Sequence, residues 1–188
     1  MTYPMTTKAV AFLEGRGIDP AWAATHSVGE VTEPLEGHEN YVGMIAIPYF
    51  AKGDEIVTWR FRNLGQGKKY LAVKGGGRHI YRVWDTEADE VIVTEGELDA
   101  LLLSQLGYNA VGIPGARAWT REWRWLFRDA RRVVLAADGD PDGREMAAAV
   151  ATDVSPFTEV TLAEIPIGKD VTDVFLTEGE ETLRRLLA

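Results

Sequence analysis

Acidic residues follow two apolar runs of the chain, and their side chains are of the kind that bind divalent cations. Glu95 comes directly after the run at 91–94, and Asp138 and Asp140 come directly after the run at 133–137. Mg²⁺ is a hard cation that prefers carboxylate and water oxygens. Clustered carboxylates repel one another and raise each other's pKa unless a cation is present. The pattern therefore predicts an acidic centre that binds Mg²⁺ or Mn²⁺.

The elements around these acids alternate between strand and helix. Short apolar strands are predicted at 90–94, 110–113, 132–137 and 159–165, and the alternation favours a parallel sheet covered by helices. In such sheets ligands bind at the carboxyl ends of the strands, where Glu95 and Asp138 are expected to lie. The helices are predicted at 97–106, 120–127, 143–154 and 177–187.

The first part of the chain has a different pattern. Residues 6–15 predict a short amphipathic helix, and Asp19-Pro20 predicts a second helix start, with an N-cap followed by proline. Apolar runs on either side of Lys52–Glu55 predict a β-hairpin. We therefore expect a smaller α+β subdomain at 1–84, followed by an α/β domain at 85–188.

Two other interpretations of the acidic segments need to be weighed. A single Asp-Gly-Asp is often only a surface turn. Asp138, Asp140 and Asp142 also match the opening of an EF-hand calcium loop, but its twelfth position is Ala149 instead of Glu, and a strand pattern precedes it. The calcium loop is therefore rejected. A surface turn is the less favoured interpretation, because Glu95 also follows the end of an apolar strand, as Asp138 does.

Composition excludes several classes of protein. The chain has no cysteine and three histidines, so disulfides, thiolate zinc sites and cysteine nucleophiles are excluded. Neither a transmembrane segment nor a signal peptide is predicted, so we expect a cytoplasmic protein. Residues 1–84 carry ten basic and eight acidic side chains, whereas 85–188 carry ten basic and twenty-one acidic ones.

The acidic motifs resemble a known family. TEGELDAL at 94–101 and VVLAADGDPDGREMA at 133–147 are similar to the motifs of the Toprim domain. The stretch IPIGKDVTDVF at 165–175 resembles the segment that follows Toprim in DnaG-type primases. WRFR at 59–62 and KKYL at 68–71 are similar to the N-terminal subdomain of the primase RNA polymerase core. YRVW at 81–84 is similar to the phage and plasmid branch, and the resemblance implies a location in a bacterial cell or a phage-infected host.

The resemblance implies a fold, an activity and a set of residues. The fold would be a C-terminal Toprim domain, and the activity would be synthesis of short RNA primers on single-stranded DNA from NTPs. Glu95, Asp138 and Asp140 would be the catalytic acids, with Glu95 as a cation ligand or a proton relay. Further cation ligands would come from the nearby acids, and Lys169 would contact a nucleotide phosphate. The implied metal ligands are Glu95, Asp99, Asp138, Asp140, Asp142 and Asp170.

Basic and aromatic residues extend the prediction to nucleic acid. Arg60 and Arg62 are two apart on a predicted strand, so they share one face. They are predicted to form a basic wall for template or triphosphate, although a solvated strand face is the simpler alternative. The aromatic residues at 119–127 are expected to pack in the core rather than to stack on bases. The predicted basic wall consists of Arg60, Arg62, Lys69, Lys74 and Arg78.

The chain also departs from the family pattern. No cysteine can hold the zinc of the N-terminal module of bacterial primases, and the helicase-binding module has no counterpart. A replicative helicase or a separate zinc-binding module is therefore expected as a partner. Two alternatives stay open: a Toprim-type metal-dependent nuclease, and a non-catalytic accessory module of the replisome.

Overall fold

A computed structural model describes residues 2–51 and 55–188. The chain forms two compact units, one extending to Arg78 and the other beginning at His79. The sequence-based boundary lies between Trp84 and Asp85. The structure thus groups the six residues from His79 to Trp84 with the second unit.

The first unit combines two short helices with a four-stranded antiparallel sheet. The strand order is β1-β2-β3-β4, and the central pair β2 and β3 aligns Ile47 with Arg60. In the predicted hairpin turn, Lys52–Asp54 lie outside the described residues. The elements are α1 (Thr7–Glu14), α2 (Pro20–Thr25), β1 (Gly29–Glu30), β2 (Ile45–Phe50), β3 (Ile56–Arg62) and β4 (Tyr70–Ala72), with a 3-10 helix at Glu39–Tyr41.

A capping residue starts each α-helix of this unit, and the sequence predicts the cap of α2. The Thr6 side chain accepts a hydrogen bond from Ala9 N at the start of α1. Asp19 caps α2 in the same manner, and Pro20 occupies its first position. Both predicted helix starts are confirmed. The sheet packs its inner face on an aromatic core that includes Tyr3, Trp59 and Phe61, which gives this unit a hydrophobic core of its own.

The second unit is a four-stranded parallel sheet flanked by helices. The strand order is β6-β5-β7-β8, and every neighbouring pair is parallel. The predicted α/β architecture is confirmed. The elements are β5 (Glu90–Thr94), α3 (Glu97–Gln105), β6 (Ala110–Gly112), β7 (Arg132–Ala136), α4 (Pro141–Val154), β8 (Glu159–Leu162), α5 (Val171–Glu178) and α6 (Glu180–Leu187), with 3-10 helices at Val83–Glu87 and Arg121–Phe127.

The central strands are buried because helices cover both faces of the sheet. Residues 91–94 of β5 and 133–136 of β7 are all buried, as expected for strands without a solvated face. One face packs on α4 through Met146 and Val150. The two strands that precede the acidic segments are thus the best anchored in the sheet.

The C-terminal part differs from the prediction. A single helix was expected at 177–187, but the structure has α5 at Val171–Glu178 and α6 at Glu180–Leu187. Gly179 separates them with a φ of 84° and a ψ of 167°, an extended conformation with positive φ that glycine adopts readily and that cannot continue a right-handed helix. The predicted helix at 120–127 is a 3-10 helix at Arg121–Phe127.

The outer edge of β6 is bonded to the segment that enters the second unit. Tyr81 and Gly112 form an isolated antiparallel bridge with N···O distances of 2.9 and 3.1 Å. Arg82 has a φ of 57°, and its side chain pairs with Asp85 at 2.9 Å in a buried ion pair. Asp85 also accepts a hydrogen bond from Ala110 N.

None of the helices within residues 2–51 and 55–188 combines the length and the hydrophobicity that a membrane-spanning segment needs.

Candidate active site

The loop that carries Glu95 is fixed by the backbone around it. The Thr94 hydroxyl donates to Gly96 O at 2.9 Å, across the turn between β5 and α3. Gly112 lies so close that a Cβ there would be 2.6 Å from Gly96 O. Glu95 is half-buried, and its Oε2 is buried without a hydrogen-bond partner among the described residues. A buried carboxylate oxygen of this kind calls for a cation or a proton.

The second acidic loop joins β7 to α4. Asp138 is half-buried, and Asp140 caps α4 by accepting a hydrogen bond from Gly143 N at 2.8 Å. Gly143 permits a close approach, because a Cβ there would be 2.3 Å from Asp138 O. Both acids thus occupy defined positions at the carboxyl end of a central strand, next to the loop of Glu95, since β5 and β7 are neighbours in the sheet.

Gly139 bonds this acidic loop to the segment that follows β8. Its N–H donates to Lys169 O at 2.9 Å, and its carbonyl accepts from Gly168 N at 3.0 Å. A Cβ on Gly139 would lie 2.0 Å from Pro166 O. The segment at 166–169 closes as a turn, with Lys169 N donating to Pro166 O. The two stretches that the family resemblance singled out are therefore bonded to each other.

Burial and mutual repulsion raise the pKa values of two acids. The pKa of Asp138 is raised from 3.8 to about 8, first by burial and then by the negative charges of Asp99, Glu95, Asp170 and Asp140. The pKa of Glu95 is raised from 4.5 to about 7 by burial and by the charges of Asp140, Asp142 and Asp99, against a hydrogen bond from the Ala116 backbone. Such repulsion shows that these acids lie close together. We call them the acidic group, which consists of Glu95, Asp99, Asp138, Asp140, Asp142 and Asp170.

The remaining predicted acids have structural partners as well. Asp99 is buried, and its Oδ1 accepts from Thr172 N at 3.1 Å and from the Thr172 hydroxyl at 2.7 Å. Asp170 caps α5 by accepting from Asp173 N at 2.7 Å. Asp142 is exposed and pairs with Arg117 at 3.4 Å. Asp99 and Asp170 therefore also fix the start of α5 beside the site.

Lys169 is held by the chain itself. Its ammonium group donates to Glu178 at 2.7 Å and to the Thr177 hydroxyl at 3.0 Å, both near the end of α5. The side chains of Lys169 and Glu178 are both partly exposed to solvent, so an anion can compete with Glu178 for the ammonium group.

The acidic group fits a hard divalent cation in its chemistry. Its oxygens are those of carboxylates, Glu95 Oε2 is buried without a hydrogen-bond partner among the described residues, and the neighbouring acids raise the pKa of Glu95 and of Asp138. Between residues 2 and 51 and between 55 and 188, however, no three His, Cys, Asp or Glu side chains form a ready-made set that could hold an ion.

The predicted basic residues of the first unit divide into two groups. Arg60 and Arg62 lie on β3 over the ring of Tyr70, at 5.8 and 5.0 Å from its centroid, so they share a face as expected. Lys69, Lys74 and Arg78 are exposed. In addition, a cavity of about 270 Å³ is lined by Lys74 together with Trp59, Thr58 and the backbone of 75–76.

The structure adds residues that the sequence patterns did not reveal. Thr172 holds Asp99 from 73 positions away, and the Ala116 backbone reaches the carboxylate of Glu95. No local pattern signals such long-range contacts. The capping box of Asp170 and Asp173, by contrast, has a visible signal, since two acids three residues apart precede an apolar run.

Comparison with known proteins agrees with the motifs. The Toprim-like family matches residues 92–175. The Gene 57 protein of Mycobacterium phage D29 is 32% identical over 150 residues, which cover 76% of this chain and 97% of the phage protein. The DNA primase of Pseudomonas putida is 29% identical over 164 residues, which cover 81% of this chain and 24% of that primase. The chain thus spans about a quarter of the bacterial enzyme.

Solved structures share the fold. The zinc-binding and RNA polymerase domains of the Aquifex aeolicus primase align with a TM-score of 0.77 at 24% identity. The alignment covers 97% of this chain and 55% of the Aquifex chain. Motifs, parallel sheet and relatives agree, and the chain belongs to the family of Toprim-domain, DnaG-type primases.

Proposed function

We propose that this chain is the catalytic core of a DNA primase, which synthesises short RNA primers on single-stranded DNA by metal-dependent nucleotidyl transfer. The observation that carries the proposal is the acidic group around Glu95 and Asp138, at the carboxyl ends of two neighbouring parallel strands. An acidic group at this edge of the sheet is suited to phosphoryl chemistry with divalent cations.

Glu95, Asp138 and Asp140 would hold Mg²⁺ or Mn²⁺. When bound, the cation would lower the pKa of the attacking 3′-hydroxyl and stabilise charge on the leaving pyrophosphate. Glu95 Oε2, which is buried without a hydrogen-bond partner among the described residues, would bind the cation or hold the proton of the hydroxyl. In the metal-free protein the pKa of Glu95, about 7, suits proton transfer near neutral pH, and a bound cation would lower this pKa by favouring the carboxylate.

Three further acids are proposed as cation ligands of the same site. The charges of Asp99 and Asp170 reach Asp138, and the charge of Asp142 reaches Glu95. Since Asp99 Oδ1 also holds Thr172, this side chain would couple the cation to the start of α5.

The basic residues would bind the phosphates of template and NTPs. Lys169, next to the acidic loop, would exchange Glu178 for a nucleotide phosphate. In the first unit the proposed contacts are the cations near Tyr70 and near the cavity beside Lys74. The residues proposed for these contacts are Arg60, Arg62, Lys69, Lys74, Arg78 and Lys169.

Two partners are proposed in addition to the single-stranded DNA template and NTPs. A separate zinc-binding module would supply template recognition, because the chain has no cysteine to hold zinc. A replicative helicase would deliver the single strand. Both proposals follow from the family to which the chain belongs.

A primer-synthesis assay tests the proposal. Purified protein is incubated with single-stranded DNA, labelled NTPs and Mg²⁺ or Mn²⁺, with and without a zinc-module partner. The active-site variant is Asp138→Asn combined with Asp140→Asn, because asparagine preserves the helix cap that Asp140 provides. The matched control is Asp129→Asn, which removes an exposed carboxylate outside the site.

Metal-dependent oligoribonucleotides that the active-site variant does not make, and the control does, would support the proposal. Degradation of the template in place of synthesis would replace it with a Toprim-type nuclease. A lack of both activities, even with the zinc module present, would leave an accessory role in the replisome.

A further inference from the structure

Three side chains form an exposed aromatic patch on the second unit. Trp125 is 50% exposed and Phe157 is 37% exposed, and their ring centroids lie 4.9 Å apart. The Arg124 guanidinium lies over both rings, 4.6 Å from the centroid of Trp125 and 5.8 Å from that of Phe157. We call Arg124, Trp125 and Phe157 the Trp125 patch. The exposure of Trp125 corrects the expectation that this residue packs in the core.

Neighbouring aromatic residues have the structural role that was expected. Phe127 is fully buried, and Trp119 and Trp123 pack against the core of the unit. Only Trp125 among these four rings is exposed. A large aromatic ring held in solvent by a neighbouring ring and a guanidinium does not contribute to that core, so it is available for binding.

Among the described residues, the cation of the patch, Arg124, has no carboxylate partner. Arg121 pairs with Asp153, and Arg128 pairs with Asp129. Arg124 makes no ion pair in the described part of the chain, and its Nε is buried without a hydrogen-bond partner there. A guanidinium that is stacked on aromatic rings and lacks a counter-ion is suited to bind an anion.

Basic residues are concentrated in the sequence segment that carries Arg124 and Trp125. The segment at 121–132 holds five arginines and two acids, whereas residues 85–188 as a whole hold ten basic and twenty-one acidic side chains. Half of the basic residues of this region thus lie in twelve positions. Arg121, Arg128 and Arg132 of this segment pair with carboxylates, so Arg124 is the cation of the patch that can pair with a phosphate of a polyanion.

The patch lies near the amino ends of the strands, whereas the acidic site lies at their carboxyl ends. Trp125 precedes β7, and Phe157 follows the end of α4 and precedes β8, so both are near the amino ends of these strands. The acids are at the carboxyl end of β7, where α4 begins. The fourteen residues of α4 separate the two places by about 20 Å, so the patch is a separate surface.

We propose that the Trp125 patch binds single-stranded DNA, with bases stacked on Trp125 and Phe157 and a phosphate paired with Arg124. Exposed aromatic rings and arginines side by side are the means by which proteins bind single strands without reading their sequence. The choice of DNA rests on the proposed function, in which single-stranded DNA is the template. The patch would hold a stretch of that strand away from the acidic site.

Fluorescence anisotropy tests this inference without metal or NTPs, so its result does not depend on catalysis. A labelled oligo-dT of about 20 nucleotides is titrated in EDTA, with an oligo-U of equal length as the RNA arm. Combining Trp125→Ala with Phe157→Ala is expected to weaken oligo-dT binding roughly five- to a hundredfold. Trp125→Phe should retain most of the affinity, because a phenyl ring still stacks. Leu176→Ala, at a side chain as exposed as Trp125, should leave it unchanged.

Several outcomes would overturn the inference. Wild-type protein that does not bind, or equal affinity in the double variant and the Leu176→Ala control, would remove the patch as a binding surface. Preference for oligo-U would assign it to RNA. Self-association that is lost in the double variant, measured by sedimentation with DNA binding unchanged, would assign it to a second copy of the chain. Failure of primer synthesis with patch binding intact would refute only the proposed function.

Discussion

Gly139 offers the sharpest test of how the acidic loop is built. A Cβ at this position would lie 2.0 Å from Pro166 O and 2.8 Å from Pro166 C. These are backbone atoms, so no side-chain rotation relieves the overlap. Gly139→Ala therefore has to push apart the acidic loop and the segment at 166–169, which Gly139 joins by hydrogen bonds of 2.9 and 3.0 Å.

The magnitude follows from these contacts. Overpacking a tight site costs about 1–3 kcal/mol, and each hydrogen bond contributes about 0.5–1.5 kcal/mol. Because separation relieves the overlap at the expense of the bonds, the two losses overlap in part. We expect Gly139→Ala to lower the free energy of unfolding by about 2–4 kcal/mol. Primer synthesis should fall as well, since Lys169 and Asp138 flank the same contact.

Urea unfolding in EDTA measures the change, with the midpoint lowered and the slope preserved. Gly65→Ala is the control, because its nearest contact would be the Asn63 side chain at 3.4 Å, an ordinary distance. This control should change stability by less than about 0.5 kcal/mol. A loss below about 1 kcal/mol for Gly139→Ala would refute the close approach that the structure shows.

Three further predictions concern buried polar groups. Metal-free protein should lose stability as pH rises from about 4 to 8, because the folded-state pKa of Asp138, about 8, exceeds its ordinary 3.8; Asp138→Asn should flatten this dependence in thermal melts. Thr172→Val removes the hydroxyl that donates a hydrogen bond to Asp99 and should lower the free energy of unfolding by about 1–3 kcal/mol, whereas Thr172→Ser keeps this hydroxyl and should not. Asp85→Ala strands the buried charge of Arg82 and should cost about 3–5 kcal/mol in urea unfolding.

Each of these has an outcome that contradicts it. Equal pH dependence of the wild type and Asp138→Asn would show that Asp138 ionises normally. Equal unfolding midpoints for the Val and Ser variants of Thr172 would show that its hydroxyl contributes nothing. If Asp85→Ala combined with Arg82→Ala were no more stable than Asp85→Ala alone, the cost would come from packing or from the lost Ala110 bond, and not from a stranded charge.

Much of the site's framework can be predicted because it depends on local patterns. The apolar runs before Glu95 and Asp138 specify buried strands, and a parallel sheet places their carboxyl ends at one edge. The position of Arg60 and Arg62 on one face follows from the period of two in a strand. These are consequences of sequence spacing and require no knowledge of distant contacts.

The remainder depends on tertiary contacts that spacing does not encode. The bond between Asp99 and Thr172 joins residues 73 positions apart. The sequence predicts one helix across Gly179 because the residues that follow it favour a helix, and the capping box of Asp170 marks the earlier start of α5. Burial of Trp125 is expected because large aromatic side chains usually pack in the core. Its position in a 3-10 helix, however, turns this side chain away from the core.

The bridge between Tyr81 and Gly112 also affects how the protein behaves in a concentrated solution. An edge strand with free backbone groups can pair with another chain and begin aggregation. At β6 two of these groups are already bonded to Tyr81, and the left-handed backbone of Arg82 then turns the chain away from the strand. Intermolecular strand addition is therefore hindered at this side of the sheet. The opposite edge, β8, is only four residues long and begins with a charged glutamate, two features that also oppose it.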